Sequence, residues 1–454
     1  MTHLRKPLLA GVLGMALALA ACSSGGSGQS GESGGTASNS GAATTVTLRL
    51  WDEGAAGAYE ESLAAFHEQN PDIAVEISVV PWSDYFTKLR TDIAAGSMDD
   101  LFWINNSSYT SYAKSGNMVN IDEALGAEAR DQWDANVVKA FTLDDTLWGV
   151  PQLSDAGIAL YYNKTLLDEA GVTPDDLANA KWSPQGGDDT LIDLLKKLTK
   201  DNSGNTADST DFNADSISQY GYNAAQDLQA IMLPFIGSNG GTFQNGDQFT
   251  FSDARTTQAM QYVVDLITKE HVAPSAADTN MDGEFTRNQF LQGNMAIFQS
   301  GLYNLATIAE SADFEWGTAL LPEGPAGRVS VTNGIVVAGN AKSENPEAVA
   351  EVLEWLGSQE GNEYIGKNGT NLPAVTAAQQ VYFDFWKDKG IDIQPFFDVV
   401  ADGAPTIDPP VGDNFTAASA AYTEVLNEVF QGRVPVAEGM KTADEKANAA
   451  MNGE

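Results

Sequence analysis

Cysteine occurs once in this 454-residue chain, at Cys22. A single thiol excludes an internal disulfide and any metal site built on several thiolates. Histidine is nearly as scarce, with only His3, His67 and His271. Zinc hydrolysis on clustered imidazoles and a Ser-His-Asp triad are therefore poorly supported. Basic residues are few as well: 24 Lys and Arg stand against 62 Asp and Glu, a formal net charge of −38. Phosphates reward basic patches, so nucleic acid and anionic lipid are disfavoured as partners. No Walker A loop, no GxGxxG after a strand and no internal repeat is present, so this chain carries no nucleotide-binding loop of its own. The apolar stretch from about Pro7 to Ala21 is shorter than the roughly 20 residues a membrane-spanning helix needs.

That stretch follows Arg5 and Lys6 and ends in the small residues Ala20 and Ala21. A charged start, an apolar middle and a small-residue end form a secretory signal, here residues 1–21. Leu19-Ala20-Ala21-Cys22 resembles a bacterial lipobox. The resemblance implies that Cys22 is acylated and becomes the first residue after cleavage, and two or more acyl chains anchor stably. Residues 22–45 are rich in Gly, Ser, Thr and Ala and read as a flexible tether with a reach of roughly 25 Å.

After the tether, roughly 400 residues remain, enough for two separate cores. Val46, Leu48 and Leu50 alternate with polar residues, which predicts a strand with one buried face. Gly54 and Gly57 read as a turn, followed by Tyr59, Leu63 and Phe66 at helical spacing up to Asn70-Pro71-Asp72, a stop signal. Ile73, Val75, Ile77 and Val79 alternate again. Ser83 then opens a helix carrying Phe86, Leu89 and Ile93, and Leu101 to Asn105 reads as a third strand. Such alternation predicts an α/β fold with a parallel sheet. Ile158 to Tyr162, "QGNMAIFQSG" and "GIVVAG" are further strands, and late helices carry Val349 to Leu356 and Tyr422 to Val429. The polar stretch from Asp201 to Ser216 lacks a glycine and a terminal Glu at the spacing of a calcium loop and reads as plain loop.

Several ordered stretches, "LWDEG", "FHEQNPDIAVEISVVPWSDYFTKLRTDIAAGSMDDLFWIN", "LYYNKTLLDEAG", "FLQGNMAIFQSGLY", "WGTALLPEGPAG" and "ENPEAVAEVLEWLGS", resemble family 1 extracellular solute-binding proteins. These are the sugar-capturing components of ABC importers. The resemblance implies a periplasmic-binding-protein-like, type II fold, a two-lobe Venus flytrap with its ligand between the lobes. By that analogy residues 46–155 and 318–368 form the first lobe, and 156–317 and 369–454 the second. It also implies a monomer without cofactor, metal or catalytic residue. The partners are then a carbohydrate and the permease subunits of an importer, at the extracellular face of the membrane.

A sugar presents hydroxyls around weakly apolar faces, so its site needs flat rings and hydrogen-bonding side chains in a dehydrated cleft. Trp51, Asp52 and Glu53 end the first strand, Trp82 follows the second, and Trp103, Asn105 and Asn106 end the third. Asp155 lies at the first crossover between lobes. Asn223, Gln226 and Asp227 offer polar contacts from the second lobe. Tyr303 follows "QSG", where relatives place a stacking ring, although Leu302 replaces a frequent Pro. Asn333 and Phe415 complete the candidates. Tyr161 and Tyr162 suggest the paired tyrosines of iron-binding relatives, but neighbouring strand residues point to opposite faces, so packing explains them. The rival readings are a secreted glycoside hydrolase, which needs two carboxylates about 5–10 Å apart, a binder of a non-sugar solute, and a sensor subunit.

Overall fold

The computed structural model describes residues 43–280, 284–401 and 403–454. The signal, Cys22 and residues 22–42 of the tether lie outside these. β1 (Thr44–Leu50) includes the last two residues assigned to the tether, because Thr44 and Thr45 pair with Ile73 and Ala74. Val46, Leu48 and Leu50 are buried as their alternation predicts, but Arg49 between them is buried too. The face that carries Arg49 is exposed at Thr45 and covered only toward the strand's end. Asp92 and Asp99, each 2.6 Å away, neutralise the Arg49 guanidinium.

α1 (Glu53–Gln69) starts earlier than expected, and Gly54 and Gly57 lie inside it. The reason is Asp52, whose Oδ1 accepts from the Ala55 N–H at 2.7 Å and caps the helix, a strong N-terminal signal. β2 (Ile73–Val79), α2 (Trp82–Ala95), β3 (Leu101–Asn105) and α3 (Tyr109–Lys114) follow. β4 (Val150–Ser154) then leads through a short crossover into β5 (Ala159–Asn163) of a second sheet. α4 (Ala254–Thr268), β6 (Ile297–Ser300) and β7 (Trp316–Ala319) belong to that second lobe.

β8 (Gly334–Gly339) returns to the first sheet, followed by α5 (Pro346–Leu356). The expected return at residue 318 falls inside β7, which pairs with β5. Ala319, Leu321 and Val331 belong to the second lobe's core, so the chain rejoins the first lobe at Gly334. An apolar stretch such as "WGTALLP" suits either sheet, and its sequence alone does not choose. α6 (Gln380–Asp388), α7 (Phe415–Phe430) and α8 (Val436–Met451) complete the second lobe. The sheets have the orders β2-β1-β3-β8-β4 and β6-β5-β7. Tyr161 and Tyr162 pack into different cores on the two faces of β5.

A buried polar chain braces the first lobe. Trp103 Nε1 donates to the Tyr59 hydroxyl at 3.1 Å, and that hydroxyl donates to Gln152 Oε1 at 2.8 Å. Gln152 Nε2 in turn donates to the Leu356 carbonyl at 3.0 Å. Removing the central hydroxyl strands the Trp103 donor out of water and leaves Gln152 Oε1 only a long bond, 3.5 Å, from Asn362 Nδ2. Tyr59→Phe is therefore expected to lower stability by about 1–2 kcal/mol, measured by denaturant unfolding, with no change in ligand affinity.

Candidate ligand-binding cleft

Strand direction decides where the functional loops gather. β1, β2 and β3 run parallel, so Trp51, Trp82 and Asn105-Asn106 follow strand ends at one edge of the first sheet. β8 is antiparallel to β3 and brings Asn333 to that edge. β4, antiparallel to β8, brings Asp155 there. The order 2-1-3 makes the β1/β3 boundary a topological switch point, where crevices open beyond carboxyl ends. In the second lobe, β6 is antiparallel to β5, so its end delivers Tyr303 to the edge where β5 begins. The two edges meet at the crossover, where the Asp155 N–H donates to the Asn333 carbonyl at 3.0 Å.

On the first-lobe side, Trp51 is wrapped by rings. Its centroid lies 5.2 Å from Trp82, 4.9 Å from Tyr85 and 4.9 Å from Trp103, all edge-on. Trp82 is the open member of this nest, 55% exposed. Beside it, Asn105 Oδ1, Asn106 Oδ1 and Thr110 Oγ1 are buried without a hydrogen-bond partner. Asn333 Oδ1 at the crossover and Gln226 Oε1 in the second lobe are stranded in the same way. Each buried acceptor left unpaired costs about 1–3 kcal/mol, so the array suits a guest rich in donors.

On the second-lobe side, Tyr303 is 39% exposed. Burial pushes the Asp155 carboxyl up to about 7. The charge of Asp155 bears on Tyr161, Tyr303 and Tyr382, and that of Asp227 on Tyr303. Burial also raises the Asp227 carboxyl, against the helix-start N–H donors of Ala230 and Gln229. These groups form one polar cluster at the second edge. A surface cavity of about 610 Å3 lies elsewhere. Thr44, Asn70, Pro71, Asp72, Glu344 and Glu347 line it, and none of the stranded acceptors does.

A family model described as bacterial extracellular solute-binding protein matches residues 51–363. The chain belongs to this family. The crystal structure of UspC from M. tuberculosis is 49% identical over 90% of this chain and 100% of that one, with a TM-score of 0.72. Two more distant structures share the fold. The substrate-binding protein Lmo0181 of Listeria monocytogenes, in complex with cycloalternan, is 21% identical (TM-score 0.77, 90% of this chain and 99% of that one). The maltose-bound MalE3 of T. maritima is 22% identical (TM-score 0.72, 89% and 98%).

Within this extracellular solute-binding protein, several candidate contacts already hold structural roles. Asp52 spends Oδ1 on the α1 cap, and Glu53 is exposed in the first turn beside it. Trp103 is 1% exposed, and its indole N–H is committed to Tyr59. Asn223 is zipped to the Gln299 backbone through both amide atoms, at 2.9 and 2.7 Å. Phe415 packs against the second lobe's core. Asp227 caps the turn at Leu228 through Oδ1, 2.9 Å from the Ala230 N–H.

Four residues escaped the sequence reading: Thr110, Asn371, Tyr382 and Trp386, each with a buried polar atom lacking a well-aligned partner. Tyr382 and Trp386 stand one turn apart on α6, their centroids 6.1 Å apart. An aromatic pair at that spacing signals packing as readily as binding, so nothing in the sequence singles it out. Among the described residues, no group of three His, Cys, Asp or Glu is placed to hold a metal, and no helix is long and apolar enough to cross a membrane.

Proposed function

We propose that this protein captures an uncharged sugar by closing its lobes and presents it to the permease of an ABC importer, as a binder rather than an enzyme. One observation carries the reading: exposed rings, Trp82 and Tyr303, stand at facing edges beside buried, unpaired side-chain oxygens. Rings stack on the apolar faces of a sugar, and stranded acceptors take its hydroxyl protons. Cycloalternan and maltose in the distant relatives support the same ligand class. Contacts from both lobes to one guest favour the closed form by their differential affinity. The protein acts as a monomer, held at the outer membrane face by acylated Cys22; fatty-acid labelling lost in Cys22→Ser tests the anchor.

Calorimetry against mono-, di- and oligosaccharides tests the proposal. The expected result is saturable binding to at least one sugar, near micromolar or about −8 kcal/mol, with no product released on long incubation. Heat from peptides, polyamines or metals, with none from any carbohydrate, would sink it.

A further inference from the structure

Across the gap between the lobes runs an ion pair. Lys114, the last residue of α3 on the first lobe, places Nζ 2.8 Å from Oδ1 and 2.9 Å from Oδ2 of Asp413 on the second. Neither residue belongs to the candidate site or to a crossover.

Both partners stand on rigid posts. α3 buries Tyr109, Thr110 and Ala113 in the first lobe. The loop carrying Asp413 is pinned to the second: Gln244 exchanges two hydrogen bonds with the Val411 backbone, at 2.8 and 2.6 Å, and Asn414 Nδ2 donates to the Met451 carbonyl at 2.9 Å. Two further carboxylates bear on Lys114, Asp144 from a first-lobe turn and Asp247 from a second-lobe hairpin. Without the lysine, acidic groups of the two lobes would face one another across the gap and repel. In a chain with a net charge of −38, one lysine there changes the sign of the interaction between the two lips.

We propose that Lys114 and Asp413 form an electrostatic latch that holds the lobes together without ligand and sets the open–closed balance on which the ligand acts. The side chains are 49% and 53% exposed, so salt screens the latch. Its contribution is enough to tune a two-state equilibrium and too small to lock it. The inference rests on lobe closure and not on the identity of the solute.

The test needs no solute. The full chain with Cys22→Ser receives fluorophores at Glu76→Cys on the first lobe and Glu438→Cys on the second, and single-molecule energy transfer reads the lobe separation. At about 20 mM NaCl the parent should show two separations. Lys114→Met, Asp413→Asn, or NaCl raised to about 0.5 M, should each lower the closed-to-open ratio about two- to fivefold. The charge swap Lys114→Asp with Asp413→Lys should restore the parent's ratio and its salt response. A single separation in the parent, equal ratios in parent and single variants, or a swap no better than the singles would each overturn the latch. Because no sugar is present, either result leaves the sugar reading to its own test.

Discussion

Trp82→Ala combined with Tyr303→Ala is expected to weaken the best-binding sugar about a hundredfold, near 2.7 kcal/mol, while the protein stays folded. Each ring offers a stacking face at one edge of the cleft, and each single truncation should cost about tenfold. The two rings sit on different lobes, so they share no neighbour and their losses should nearly add. Exposure makes the variants clean: Trp82 and Tyr303 are 55% and 39% accessible, and surface truncations change stability little. Trp51→Ala would be a poorer probe. Trp51 touches Trp82, Tyr85, Phe86 and Trp103, so its removal collapses the nest and confounds binding with folding. Tyr303→Phe should keep most of the affinity, because it retains the ring. Titration calorimetry with thermal melts decides; unchanged affinity in both single variants would remove the rings from the site.

The first lobe was largely legible because its strands alternate and its helices are bounded by clear stops. Burial of Arg49 was not legible. Alternation shows one buried face, whereas the other is covered only toward the end of β1, and Asp92 and Asp99 that neutralise the arginine lie more than 40 positions away. The same limit governs the site. Asn223 and Asn333 look alike in sequence, yet one is zipped to the Gln299 backbone and the other keeps a buried free oxygen. A side chain's availability depends on which backbone group the fold sets opposite it, and that is a tertiary fact. Trp82 could be singled out because it follows a strand end, and Tyr303 because the family resemblance places a ring after "QSG"; both are exposed in the fold. Tyr382 and Trp386 could not, since their helical spacing reads as packing and both are buried in a core of the second lobe.

Asp155→Asn is expected to stabilise the protein at pH 8 by about 2–4 kcal/mol and to leave it nearly unchanged at pH 4. Burial raises this carboxyl from 3.8 to about 7, so between those values the folded protein keeps a proton that the unfolded chain has lost. The group's favourable contribution is complete below the unfolded value and declines as pH rises through the folded one. The gap sets an upper bound of about 4 kcal/mol, and water in the cleft reduces it. No donor among the described residues reaches this carboxylate, so nothing in the protein offsets the cost of its charge. Sugar hydroxyls would. As donors they lower its pKa on binding, release a proton and give charge-assisted bonds, so parent affinity should rise from pH 5.5 to 8. In Asp155→Asn that slope should vanish, and the variant should bind more weakly than the parent at pH 8 despite its greater stability. A stability difference that stays constant from pH 4 to 8 would show that the carboxyl is not raised, and parent binding indifferent to pH would show that Asp155 meets no ligand. The cost of its burial would then need another account.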